Sequence, residues 1–260
     1  MAGSGNDEDA SSSRTSSEDI SASHFARNVT QRYLDERGER YFELELSVPD
    51  VSYDWIARSR ARKLAPYIRP SDIVLEFGAG AGWNLAELNC ARRIAFEPVA
   101  SGVRQLRSRG IDTVDSTDAL PDGYVDAAIC SHVLEHVPEP SRVLKELHRL
   151  LRPGGTALLF VPYEQEHRLH QLLRQETTRR YRPDLPSGHL YSWNVQSFGE
   201  LVTLSGLSVT ADGLGRFGYD RAAAQWAVRL RFGESGYRAV RWLMHLVEPV
   251  LEVQLVARKV

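Results

Sequence analysis

Ile73-Val74-Leu75-Glu76-Phe77-Gly78-Ala79-Gly80-Ala81-Gly82 is the stretch on which the reading of this chain turns. A short, mostly apolar run with no polar alternation has the pattern of a strand buried on both faces, and glycines end it at once. Glycine accepts positive backbone torsions and lets a ligand come close to the main chain. Trp83-Asn84-Leu85 reads as the start of a helix, so the glycines sit between strand and helix, the context that gives such spacing meaning. Nineteen residues beyond Gly78, at the end of a second apolar run Ile94-Ala95-Phe96, stand Glu97 and Pro98. A carboxylate there can accept hydrogen bonds from ribose hydroxyls.

Outward from this point the alternation continues. A helical stretch through Val103, Leu106 and Arg107 follows the second strand, and Val125 to Cys130 forms another. Ser141 opens a helix with Val143, Leu144, Leu147, Leu150 and Leu151 at helical spacing, and Pro153-Gly154-Gly155 ends it. Thr156 to Val161, Leu207 to Ala211 and Val250 to Ala257 read as strands. Strands alternating with helices imply an α/β domain with a mainly parallel sheet. Residues 71–260 are assigned to it, with insertions at about 163–193 and 212–247. Residues 23–70 read as a helical N-terminal lobe, clearest from Tyr53 to Tyr67, and residues 1–22, rich in Ser, Asp, Glu and Gly, as a disordered tail.

Composition narrows the partners. Thirty-two Lys and Arg against 34 Asp and Glu leave a net charge of −2, with no global basic field to draw nucleic acid or an anionic membrane. Cys90 and Cys130 both lie in apolar stretches and read as small hydrophobes, consistent with a reducing, cytoplasmic setting. The opening residues lack a secretory signal, and no stretch reaches the roughly 18 apolar residues of a membrane span.

The loop resembles the first motif of class I S-adenosylmethionine-dependent methyltransferases, and Glu97 resembles their ribose acid. Asp118-Ala119-Leu120-Pro121, the run Val125 to Val137, and Leu151-Arg152-Pro153-Gly154-Gly155 are similar to the type-11 branch, which acts on small molecules. The resemblance implies a Rossmann-like, doubly wound, seven-stranded sheet and S-adenosylmethionine as methyl donor. It places Glu76, Gly78 and Gly80 at the methionine part, Gly82 in the same loop, Glu97 and Pro98 at the ribose, and Asp115, Ser116 and Thr117 near adenine. Ser131 and His132, at the end of the fourth strand, would face the donor. Bulky Trp83, where a dinucleotide fingerprint wants Gly or Ala, counts against NAD or FAD. Trp83 itself reads as core packing or as a ring face against the sulfonium.

His132-Val133-Leu134-Glu135-His136 also matches the inverted zinc-protease pattern H-x-x-E-H. That chemistry requires a sustained helix and a third ligand, whereas an apolar strand runs straight into His132, so the reading assigns no metal. If the acceptor is a hydroxyl, a base must take its proton, and His132, His136 and His189 are the candidates. A structural role for His136, holding the turn, stands beside the chemical one. The connection after the fifth strand supplies Tyr163, Glu164, Arg179, Arg180 and Tyr191 as candidate acceptor contacts. Its arginines fit either a solvated amphipathic helix or an anionic acceptor. The C-terminal insertion fits helix packing, a homodimer face or a wall over a lipid-like acceptor. Ser131-His132-Val133-Leu134, standing where base methyltransferases carry an Asn-Pro-Pro-Tyr-like loop, disfavours a nucleic-acid acceptor. The reading is therefore methyl transfer to a small-molecule hydroxyl, as on a sugar, glycoconjugate or natural product. Its alternatives are a non-catalytic donor-binding or partner-binding module and a protein or nucleic-acid methyltransferase.

Overall fold

The computed structural model describes residues 38, 39, 42, 48–163 and 189–260. The N-terminal tail, Glu164, Arg179 and Arg180 lie outside them. Strand β1 (Ile73–Phe77) lies third in a seven-stranded sheet. Beside it lie β2 (Arg92–Phe96) and β3 (Asp112–Val114) on one side. On the other come β4 (Val125–Ser131), β5 (Leu151–Pro162), β7 (Leu251–Lys259) and β6 (Leu207–Arg216), giving the order β3-β2-β1-β4-β5-β7-β6. All neighbours are parallel except β7, which runs antiparallel to both β5 and β6.

Helix α1 (Asp50–Leu64) precedes β1, α2 (Ala100–Ser108) lies between β2 and β3, and α3 (Pro140–Leu150) between β4 and β5. Helix α4 (Val195–Leu204) starts on a capping box in which Asn194 and Ser197 exchange hydrogen bonds, satisfying donors the helix would otherwise leave open. Helices α5 (Asp220–Arg229) and α6 (Gly233–Val247) fill the connection from β6 to β7. One apolar cluster joins the sheet to α3 and α4, and a second joins its opposite face to α1 and α2. A third, with Tyr53, Trp55, Ile56, Trp83, Ala223, Ala224 and Tyr237, packs α1 against α5 and α6. Among the described residues no helix is long and apolar enough to cross a membrane.

Two local expectations are corrected. The helix anticipated after the glycine loop is instead a series of turns over residues 83–87, with Gly82 O accepting from the amides of Leu85 and Ala86. The connection must climb back along β1, about 16 Å for five residues at ~3.3 Å each, and the nine residues from Trp83 to Ala91 would span only about 14 Å as α-helix. Looser turns cover the distance. Strand β5 begins at Leu151, so Pro153-Gly154-Gly155 lies inside it, and α3 ends at Leu150. The register shifts between Val125 and Ala127, and a Cβ on Gly155 would meet Asp126 O at 3.0 Å, which explains a glycine at this close approach.

Candidate functional site

The carboxyl ends of β1, β2 and β4 surround an open cleft of about 1040 Å³, part of it continuous with solvent. This is where open α/β sheets bind ligands. Its floor is the glycine loop. Gly78 has φ +72°, and a Cβ there would come within 2.5 Å of Val133 Cγ2, so the loop backbone lies bare toward the cleft only with glycine at that position. Gly78 N donates to Phe96 O at 2.8 Å and Tyr53 Oη donates to Ala81 O at 2.7 Å, which fixes the loop from β2 and from α1. Gly82 also has a positive φ, but its Cα faces Leu106, Ile111 and the Tyr53 hydroxyl; it packs α2 against the loop and does not line the cleft.

Glu97 reaches back over this loop. Its Oε2 accepts from Gly80 N at 2.6 Å and its Oε1 from Val99 N at 3.0 Å. Burial pushes the carboxyl above its ordinary range, and the two backbone donors oppose the rise. Each oxygen keeps a second lone pair for a ribose hydroxyl. Gly102 makes room for it, since a Cβ there would meet Glu97 Cγ at 2.8 Å.

Glu76, at the end of β1, is 1% exposed. Asn84 Nδ2 donates to its Oε1, while Oε2 is buried without a partner. Burial raises this carboxyl to about 8, against the opposing Asn84 hydrogen bond and Arg60 charge. Across the cleft stands Arg60 of α1, its guanidinium 5.3 Å from the Trp83 ring centre and 5.5 Å from that of Phe217. Asp220 Oδ2 accepts from its Nη2 at 2.9 Å, and Asp220 is in turn held by Tyr237 and Arg241. Arg60 Nε is buried and unpartnered, like Glu76 Oε2.

The third wall is the turn after β4. His132 adopts φ +57°, with its amide bonded to Phe160 O, and its ring stacks on Phe217 at 3.6 Å between centroids. Its Nε2 lies 2.9 Å from Glu252 Oε2, and Lys63 Nζ donates to Glu252 Oε1 at 2.7 Å. Burial works to raise the Glu252 carboxyl, but the His132 hydrogen bond and the Lys63 charge outweigh it and bring it down to about 2. Residues 134–136 form a turn, so His132 and His136 are not successive ligands on one helix, as the protease pattern would require.

Glu76, Gly78, Gly80, Glu97, Pro98, Ser131, His132 and His136 are thus brought together around one cleft. Of the residues anticipated near adenine, Asp115 borders a shallower hollow beside it with Phe96, Glu97, Pro98 and Arg104. Ser116 instead caps the short turn Thr117–Ala119, and the Thr117 carbonyl accepts from Arg149, so both support local structure. Tyr163 pairs in a bridge with Trp193, and Tyr191 donates to Pro138 O while stacking on Trp193; neither lines the cleft. His189 stands edge-to-face to His136, 4.9 Å between centroids. Arg60, Phe217 and Glu252 escaped the sequence reading. The available signal was two cations, Arg60 and Lys63, three apart on a helix whose apolar residues Ile56 and Leu64 are buried.

Sheet order, glycine loop and the acid ending β2 define a class I methyltransferase fold. The family model described as a methyltransferase domain matches residues 50–212, and the chain belongs to that family. A Mycobacterium tuberculosis protein described as a probable S-adenosylmethionine-dependent methyltransferase is 30% identical over 129 residues, 45% of this chain and 47% of that protein. The ubiquinone biosynthesis O-methyltransferase of Pseudomonas aeruginosa is 28% identical over 160 residues, 52% of this chain and 67% of the relative. An uncharacterized 37.1 kDa transposon protein from Streptomyces fradiae is 33% identical, the match spanning 41% of its length, so the chain covers less than half of the first of these relatives and of the last. Among solved structures, a SAM-dependent methyltransferase from Thermotoga maritima superposes with a TM-score of 0.55 at 16% identity, over 90% of this chain and all of that one. The cyclase SpnF gives 0.51 at 20% identity, over 78% and 80%. These two show the fold. The family's cofactor is S-adenosylmethionine, and the residues fit it: a bare glycine floor, an acid at the ribose position, and an unpartnered carboxylate oxygen and guanidinium nitrogen facing one cleft.

Proposed function

We propose that this chain transfers a methyl group from S-adenosylmethionine to a small-molecule acceptor, at a hydroxyl of a sugar, glycoconjugate or natural product. The observation that carries the reading is the pairing of Glu76 Oε2 and Arg60 Nε, each buried and unsatisfied on the walls of the same cleft. A buried polar atom without a partner is costly, and an amino-acid zwitterion satisfies both: its ammonium meets Glu76 as that carboxyl ionises, and its carboxylate meets Arg60 Nε, the Nη2 being already given to Asp220. When bound, the donor supplies an electrophilic methyl on a sulfonium, open to in-line displacement. The chain's part is then to hold, orient and exclude water. Glu97 holds the ribose, the bare loop from Gly78 to Gly80 admits the chain between ribose and zwitterion, and Trp83 and Phe217 keep Arg60 in place. His136, which lines the cleft, and His189, which packs edge-on against it, are the imidazoles that would take the acceptor's hydroxyl proton. The O-methyltransferase among the relatives supports a hydroxyl acceptor.

A second reading is a module that binds the nucleoside without transferring methyl, because a shared fold does not fix the chemistry. Calorimetric titration with S-adenosylmethionine, its demethylated product and NAD tests the binding. The expected result is saturable binding of the first two and none of NAD, weakened about 10- to 100-fold in Arg60→Ala. Undiminished binding in that variant refutes the zwitterion clamp. Labelled-methyl transfer into a metabolite extract separates enzyme from module.

A further inference from the structure

Behind His132 and His136, which line the cleft, lies one more buried carboxylate. Glu135 is 1% exposed, and neither carboxylate oxygen has a hydrogen-bond partner. Its surroundings are imidazoles: His132 Nδ1 lies 3.5 Å and His136 Nε2 3.8 Å from Glu135 Oε1, and His189 packs edge-on against His136. One ligand atom from each of Glu135, His136 and His189 lies within 4.8 Å of the other two. The backbone keeps the third member there, because Leu190 N donates to Glu135 O at 2.7 Å and Tyr191 Oη to Pro138 O.

We propose that Glu135, His136 and His189 form a three-ligand site for a divalent transition-metal ion of the zinc and cobalt kind. Two imidazole nitrogens and one carboxylate suit such ions, and three protein ligands leave a position open for a substrate oxygen. With bonds of about 2.1 Å at tetrahedral angles, ligand atoms stand about 3.4 Å apart, so the trio, whose atoms lie within 4.8 Å of one another, closes on an ion by shifts of up to about 1.4 Å, which the exposed His189 ring can supply. The site differs from the protease pattern in its third member: His132 Nε2 is given to Glu252, and His132 Nδ1 stands behind Glu135 as a support. His136 also lines the donor cleft, so an ion held by the trio would lie beside the proposed methyl-transfer site. An acceptor hydroxyl bound there loses its proton more readily, and its oxygen is held for attack. This role in transfer rests on the proposed function; occupancy of the site by a metal does not.

The test uses the full chain, stripped with a chelator and titrated with Co²⁺ and then Zn²⁺. Expected are one Co²⁺ per chain, visible absorption bands of a low-coordinate ion, and displacement by Zn²⁺. Glu135→Gln and His189→Ala should each weaken binding by at least about tenfold, while His148→Ala, a histidine outside the cleft, leaves it unchanged. Circular dichroism establishes that the variants are folded, and Glu135→Gln preserves shape where alanine would leave a void. Absence of saturable binding, or wild-type affinity in both ligand variants, overturns the assignment. S-adenosylmethionine titration of the same metal-free protein separates the two proposals: donor binding without metal binding removes only this one, and metal binding without donor binding removes only the function.

Discussion

Glu76→Gln makes the protein more stable at alkaline pH and a worse binder of the donor, and both effects follow from one buried carboxyl. Burial holds Glu76 at about 8 in the folded chain, against an ordinary 4.5. Between those two pH values the folded protein keeps a proton that the unfolded chain gives up, so unfolding becomes easier as pH rises through the window and levels off above it. At about 1.4 kcal/mol per pH unit, the gap amounts to roughly 5 kcal/mol at its full extent. Glutamine has no proton to lose and still offers Oε1 to Asn84, but its amide nitrogen goes unpaired where Oε2 already was, at a cost of about 1–3 kcal/mol. Near pH 5 the variant should therefore match or fall below wild type, and near pH 8.5 exceed it by about 2–4 kcal/mol. Urea unfolding at pH 5, 7 and 8.5 measures the difference, in which titrating groups common to both proteins cancel. A pH-independent difference refutes the reasoning. The same carboxyl must ionise to meet the donor's ammonium, so wild-type binding near pH 7 should release a proton, seen as a dependence of the calorimetric heat on buffer ionisation enthalpy. In Glu76→Gln that release disappears and affinity falls about tenfold or more.

Two further substitutions test the walls of the cleft. Gly78→Ala places a Cβ against Val133 Cγ2 at φ +72° and should lower stability by about 1–2 kcal/mol from the torsion alone, and weaken donor binding; adding Val133→Ala removes the clash but not the torsion, so thermal melts should show only partial recovery. Glu252→Gln removes the partner of both Lys63 and His132. Because the folded carboxyl lies near 2, below its ordinary 4.5, its stabilisation is present above pH 4.5 and lost as pH falls toward 2; the variant should lose about 3 kcal/mol at pH 7 and converge with wild type near pH 2, as melts across that range will show.

What could be read from the sequence was what is contiguous in it. Strand, glycine turn and the acid nineteen residues on are one local unit, and the spacing alone conveys their juxtaposition. Orientation was less accessible. Gly82 sits at the anticipated position along the chain, yet its Cα faces α2, because spacing reports which residues are near and not which way they point. Least accessible were the pairings that complete the site across long stretches of chain. Arg60 meets Asp220 over a separation of 160 residues, Lys63 meets Glu252 over 189 and His132 meets Glu252 over 120. The first of these pairings joins the C-terminal insertion to the cleft. Asp220, the first residue of α5, orients the guanidinium that faces Glu76, and Phe217 just before it stacks on His132 and flanks Arg60. Glu252, one residue into β7, ties His132 on the turn after β4 to Lys63 on α1. Through α1 and one buried acid, the walls proposed to hold the donor and the acceptor become a single electrostatic unit, so a change at Glu252 should be felt on both sides of the cleft.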